Sequence, residues 1–303
     1  MRPNGICRWI TLLCVLLVWC SDGASAAAPP VRVLVSFSIL GDIVREIGGA
    51  DVAVTSLIGP DSDAHVFEPS PDQLRLLARS QLFVVNGLGL EGWETRLVQS
   101  AQYHGPLVVA SHGITPIVTA EAGGVAPVPD PHAWQDVKNA EIYAANIAQA
   151  LQEADPERAA DFRRGLDRYR AELETLDGEV HAELAGIPPA KRRVITTHDA
   201  FAYYGHAYDV AFLAPEGLST DSEPSAEGVA KLIRQIRREG IKALFLENVS
   251  DPRLMEALAH EVGATLGPPL FSDALSRADE PASTYAKMIR YNTATLKEGM
   301  LTN

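Results

Sequence analysis

Cysteine is missing from all but the start of this 303-residue chain, where Cys7, Cys14 and Cys20 are the only three. A mature protein beginning after them has no disulfide and no thiolate, which excludes a cross-linked scaffold and any cysteine-ligated metal site. Positive charge is also short: 26 Lys+Arg stand against 39 Asp+Glu, for a formal net charge of −13. That balance argues against nucleic acid as a partner, because phosphate binding depends on basic contacts, and it is compatible with a cationic ligand. The apolar run from Trp9 to Trp19 is too short to span a bilayer, which takes about 20 residues. H-E-x-x-H, the helical spacing of many zinc hydrolases, does not occur.

What is present begins with a basic n-region (Arg2, Arg8), that short apolar run, and the small residues Ala24, Ser25 and Ala26. Together they describe a secretory signal peptide over 1–26, cleaved near Ala26. Its removal takes away two arginines and one aspartate and leaves the rest one unit more negative. Lipid attachment at Cys20 is not expected, because bulky Trp19 precedes it where a small residue belongs. Soluble export is the expectation.

Beyond the signal, 47% hydrophobic and 21% charged residues give a globular balance over a length sufficient for two domains. "VRVLVS" reads as a buried strand, and "ILGDIVREIGG" as a helix closed by glycines. The same grammar repeats through "VAVTSLI", "SPDQLRLLARS", "LFVVNG", "GWETRLVQSA" and "PLVVAS". Strands alternating with helices imply a parallel sheet covered on both faces. From Asn139 the pattern turns helical, and a helix of about 29 residues is expected from Pro156 to Leu184. Phe162, Leu166, Tyr169, Leu173 and Leu176 trace its apolar stripe, so it reads as a stiff connector across two lobes. The βα grammar then resumes with "RVITT" and continues to the C-terminus. The expected organisation is an α/β fold: a first lobe over 27–138, connecting helices over 139–188, and a second lobe over 189–303.

Ligands of open α/β sheets bind beyond the carboxyl ends of strands, so two such lobes create a cleft between those ends. Three of the eight histidines fall there: His65 after "VAVTSLI", His132 in "DPHAWQD" and His198 directly after "RVITT". Each alone reads as an ordinary loop histidine; jointly they point to a shared site on loops fixed by a scaffold. His104, His112, His181, His206 and His260 read as surface or packing residues. Asp273 in "LFSDALS" is the acidic candidate, and a helix N-cap is its equal alternative.

"DAHVFEPSPDQLRLLARSQLFVVNGLGLEGW", "DPHAWQDVKNAEIYAANIAQAL", "THDAFAYYG", "EPSAEGVAKLIRQIRREGIKALFLEN" and "SDALS", in that order, resemble the motif series of the solute-binding proteins of zinc and manganese ABC importers. The resemblance covers nearly the whole mature chain. It implies two Rossmann-like lobes joined by a long rigid helix, with a metal held between them by His65, His132, His198 and Asp273. By chain order the first two belong to one lobe and the last two to the other. The resemblance also implies a periplasmic monomer that is not an enzyme and that hands its metal to a membrane permease. A periplasmic metallochaperone is a further candidate partner. The family's manganese branch often has glutamate at the position of His198, and its zinc-scavenging branch often has a long histidine-rich loop where this chain has only "PIVTAEAGGVAPVPD". That short stretch, 116–130, is a candidate lid.

Three imidazoles and one carboxylate can close a tetrahedron around Zn²⁺ at about 2.0–2.2 Å, whereas Mn²⁺ prefers more oxygen ligands and lies at the weak end of the affinity order. Zinc is therefore favoured and manganese is the alternative. Affinity should fall as pH drops through the histidine range, because bound imidazole must be deprotonated. Glu68, Asp199 and Glu247 are candidates to orient the imidazoles. A secreted zinc hydrolase is a competing class, and a surface adhesin or structural protein is a third.

Overall fold

The computed structural model describes residues 28–119, 127–221 and 224–303. The signal peptide with its three cysteines lies outside the described residues, as does the middle of the 116–130 stretch on which the lid reading falls.

The first sheet is built from β1 (Val31–Val35), β2 (Val52–Ser56), β3 (Leu82–Val85) and β4 (Leu107–Val109), all parallel in the order β2-β1-β3-β4. Central β3 reads LFVV and is buried at all four positions, as a parallel strand covered on both faces should be. Helix α1 (Ser38–Gly48) buries Ile39, Leu40, Ile43, Val44 and Ile47, then stops at Gly49 with φ 53°, a backbone conformation suited to glycine. Helix α2 (Pro71–Arg79) starts on a reciprocal cap between Ser70 and Gln73 with proline in its first turn, and α3 (Glu94–Ser100) follows β3. "VAVTSLI" was expected to stay extended to Ile58; the ladder ends at Ser56, although Leu57 and Ile58 still donate to Val35 and Ser36 carbonyls. A two-stranded antiparallel pair, β5 (Val118–Thr119) with β6 (Val128–Pro129), precedes the helical region.

Helix α4 (Val137–Ala154) leads through a 3₁₀ turn at Pro156–Arg158 into α5 (Ala159–Ala185). The long helix thus exists and begins one tight turn later than the sequence suggests. Its stripe of Phe162, Leu166, Tyr169, Leu173 and Leu176 is buried and continues through Val180 and Leu184. Gly165 sits where a Cβ would overlap the Ile47 carbonyl of α1, so this glycine permits the close approach of the two helices. Helix α5 packs on α4, on α1 and, at its other end, on the C-terminal helix α9 (Tyr285–Thr302). Arg290–Glu179 and Lys297–Glu183 ion pairs line that last seam.

The second sheet holds β7 (Arg193–Ile195), β8 (Ala211–Leu213), β9 (Leu244–Glu247) and β10 (Leu266–Leu270), parallel in the order β10-β9-β7-β8. Prolines 268 and 269 sit in β10, at the edge, where a missing donor is tolerated. Helices α6 (Ala202–Tyr208), α7 (Ala226–Glu239) and α8 (Pro252–Val262) complete this half. One hydrophobic core runs from the first sheet through α4 and α5 to α9, and a smaller one lies between β7, β9, α7 and α8.

Candidate metal centre

Both sheets deliver chemistry at the carboxyl ends of their strands. His65 follows β2, Asn86 follows β3, His198 follows β7, Glu247 closes β9 and Asp273 follows β10. His65, His132, His198 and Asp273 come together, each offering a ligand atom within 4.8 Å of the others. His132, His198 and Asp273 are wholly buried, and the side chain of His65 is 5% exposed.

Each imidazole is carried on a braced loop. At His65 the backbone N–H donates to Asp63 Oδ1 at 2.8 Å, while Asp63 Oδ2 accepts from the Thr220 hydroxyl at 2.6 Å. Asp130 Oδ1 accepts from both the backbone N–H and the Nδ1 of His132, at 2.8 and 2.7 Å. Asn86 Nδ2 donates to the Pro131 carbonyl at 2.9 Å, tying the same loop to β3. Glu247 Oε1 accepts from the backbone of Thr197 and His198, and Oε2 lies 2.6 Å from His198 Nδ1. Carboxylates at the Nδ1 side leave the Nε2 lone pairs of His132 and His198 facing inward.

The inward atoms are spaced for a small cation. His132 Nε2 lies 3.3 Å from the Nε2 of both His65 and His198. Asp273 Oδ2 lies 3.4 Å from His65 Nε2 and 3.2 Å from His198 Nε2, while Oδ1 lies 3.7 Å from His132 Nε2. A tetrahedron with metal–ligand bonds of about 2.0–2.1 Å has edges of about 3.3–3.4 Å. These groups also shift one another's protonation. Burial works against the charge on Asp273, but the His198 and His132 imidazoles outweigh it and hold the carboxyl well below its usual range. Burial likewise opposes charge on His198, and Glu247 with Asp273 more than offsets it, raising the imidazole well above its usual value.

Of the three residues suggested as supports, Glu247 touches an imidazole. Glu68 and Asp199 do not: among the described residues no hydrogen bond or ion pair joins either to one. Asp130 takes that role for His132, and its signal was the carboxylate two residues ahead in "DPHAWQD". Asp273 caps no helix. His104, His112, His181, His206 and His260 are exposed and stand apart from the cluster. A groove of about 660 Å³ opens beside Asp63, Glu216 and Asp251, and none of the four converging side chains lines it.

Residues 33–299 match the family model described as zinc-uptake complex component A, periplasmic. The metal ABC transporter substrate-binding lipoprotein SsaB of Streptococcus sanguinis is 28% identical over 308 aligned positions that cover 99% of each chain. The manganese ABC transporter substrate-binding lipoprotein PsaA of Streptococcus pneumoniae is 29% identical, with 96% of each chain covered. Among solved structures, the periplasmic zinc binding protein TroA from Treponema pallidum superposes with a TM-score of 0.84 at 27% identity, over 90% of this chain and 99% of that one. Both of the relatives named first are lipoproteins, which corrects the expectation of soluble export without lipid. That expectation rested on Trp19 alone, and one bulky side chain before Cys20 is too little to exclude a thioether-linked lipid on a cysteine that ends the apolar run. With a family match that spans both sheets and all four converging side chains, this chain belongs to the zinc-uptake complex component A periplasmic family.

Proposed function

We propose that His65, His132, His198 and Asp273 bind one divalent transition metal, zinc ahead of manganese, and that the protein carries it outside the cytoplasm to the membrane permease of an ABC importer. The observation that carries the reading is the spacing of the inward atoms: three Nε2 and one carboxylate oxygen, mostly 3.2–3.4 Å apart, buried and converging on one point. Ligand atoms held this close in a buried site repel unless a proton or a metal cation lies between them, and a metal engages all four at once. A nitrogen-rich, four-membered set suits Zn²⁺, and the affinity order places Mn²⁺ below it.

Manganese is the second reading, favoured by one observation. Asp273 Oδ1 also faces the centre, 3.7 Å from His132 Nε2, and two-oxygen binding by Asp273 would supply the higher coordination number that Mn²⁺ prefers. A relative named for manganese points the same way. A hydrolase needs an open metal position and room for substrate; side chains at 0–5% exposure support a carrier instead.

Calorimetry of Zn²⁺ into apo-protein tests the assignment. One equivalent should bind to the wild type, and His132→Ala should lose at least about two orders of magnitude in affinity, since a ligand and its carboxylate support go together. Unchanged affinity in His132→Ala would place the metal elsewhere.

A further inference from the structure

Asp273 differs from His132 and His198, whose rings each meet a bracing carboxylate, in how it is held. The carboxylate meets only the imidazoles of the cluster, Oδ2 lying 3.2 Å from His198 Nε2 and 3.4 Å from His65 Nε2, and no group outside the cluster braces either oxygen among the described residues. Its position is set through the backbone on either side. The Ser272 carbonyl accepts two hydrogen bonds, from Trp134 Nε1 and from Gln135 Nε2, both at 2.9 Å and both from wholly buried side chains. After Asp273, the Leu275 N–H donates to Ser38 Oγ at 2.9 Å and the Leu275 carbonyl accepts from the Asp61 N–H at 3.1 Å. All four partners precede α4 in the chain. On its own side Asn248 Nδ2 donates to the Ala274 carbonyl at 3.3 Å and Asn292 bonds both backbone groups of Phe271, so the Asp273 loop, which chain order assigns to the second lobe, is bonded to the first as well.

Gln135 is the costly member of this set. A carbonyl only accepts, so its amide nitrogen must face Ser272, and Oε1 is left buried with no partner. A leucine of similar volume would carry no such orphan. What the amide supplies is a second donor to the residue preceding Asp273, beside that of Trp134. Held this way, Asp273 presents Oδ2 to His65 and His198 at distances that fit one tetrahedral vertex, while Oδ1 stays farther from His132.

We propose that Gln135, with Trp134, is a selectivity-determining positioning residue. By fixing the Ser272 carbonyl it holds Asp273 to one-oxygen coordination, and so favours a four-coordinate metal over one that prefers five or six ligands. Releasing the carbonyl lets the carboxylate turn and offer both oxygens. This rests on the metal-binding reading above, and the test separates the two.

Apo wild type, Gln135→Leu and Trp134→Phe are titrated with Zn²⁺, with Mn²⁺ and with Co²⁺ as a spectroscopic probe. The wild type should show the intense visible bands of tetrahedral Co²⁺. Gln135→Leu should show weaker bands of higher coordination, and its zinc-over-manganese preference should narrow by about tenfold, the scale at which supporting residues act. Trp134→Phe keeps an aromatic ring, removes the other donor, and should shift both readouts the same way; it carries the test should Gln135→Leu fail to fold. Folded variants with an unchanged spectrum and an unchanged Zn²⁺/Mn²⁺ ratio overturn the proposal, even if both affinities drop together, since that is the mark of a merely structural role. A wild type that binds none of the three metals defeats the metal-binding reading itself.

Discussion

Glu247 serves three donors at once: the backbone N–H groups of Thr197 and His198 through Oε1, and the His198 ring through Oε2. Its chemistry is therefore specific to a carboxylate. In Glu247→Gln one oxygen becomes an NH₂ that meets either two N–H groups or the protonated Nδ1. The remaining relief is for His198 to move its proton to Nε2, the atom that faces the centre. Zinc affinity should accordingly fall roughly 10- to 100-fold in Glu247→Gln, with the fold intact. Competition with a chromophoric chelator measures it, and an affinity equal to wild type would show that the carboxylate does not set the tautomer. Asp130 does for His132 what Glu247 does for His198, with one oxygen on both backbone and ring. Both imidazoles are thus aimed by a carboxylate on their own lobe, while the loop that carries Asp273 is bonded to both lobes.

At the scale of elements, α5 shows how one glycine earns its place in a long helix and another does not. Gly165→Ala adds a Cβ against the Ile47 carbonyl, and the displaced contact should cost roughly 1–3 kcal/mol despite alanine's better helix propensity. Gly178, exposed in the same helix with nothing near a Cβ, should gain about 0.5–1 kcal/mol on substitution by alanine. Denaturant unfolding of the two variants should give opposite signs; equal signs would mean that α5 is not pressed on α1. The N-terminus of α9 is tied to α1 by Asp42 Oδ2, which accepts from the Tyr285 N–H at 2.7 Å. Burial raises the Asp42 carboxyl to about 6, against the Tyr285 hydrogen bond that lowers it. The native state therefore holds this proton more tightly than the unfolded chain does. The resulting stability is full below the unfolded value near 3.8 and lost as pH rises through about 6. Asp42→Asn keeps an acceptor for Tyr285 and removes the titration, so its advantage over wild type should grow by about 2–3 kcal/mol between pH 4 and pH 7.5. A stability difference flat across that range would contradict the burial argument.

At the scale of the whole molecule, what the sequence reveals and what it hides divide along range. β3 is legible because a parallel strand covered on both faces must be apolar throughout, β1 because its valines alternate around the exposed Arg32, and α5 because its stripe recurs at three and four. The convergence of His65, His132, His198 and Asp273 is legible because strand ends of two βα lobes share one location, and the motif series fixes which ends carry imidazole. Asp130 lay within two residues of His132 and was missed because a carboxylate ahead of proline also reads as an ordinary turn. The bonds from Trp134 and Gln135 to Ser272 join groups 138 and 137 residues apart, and no local period encodes them. They also alter the mechanical picture. Chain order divides the four side chains two and two, and the Asp273 loop, which leaves β10 of the second sheet, is bonded to both lobes, through Asn248 on one side and through Trp134, Gln135, Ser38 and Asp61 on the other. A long helix packed on α1 and α9 suits small relative displacements, and the Asp273 loop, bonded to Asn248 at the end of β9, couples any such displacement to the first lobe.

X-ray absorption at the zinc edge, recorded on wild-type protein loaded with one equivalent of Zn²⁺, tests the central claim most directly. The account predicts four light-atom ligands at about 2.0–2.1 Å, with the multiple scattering of three imidazoles and no bound water. A coordination number of five or six, or fewer than three imidazoles, would contradict it.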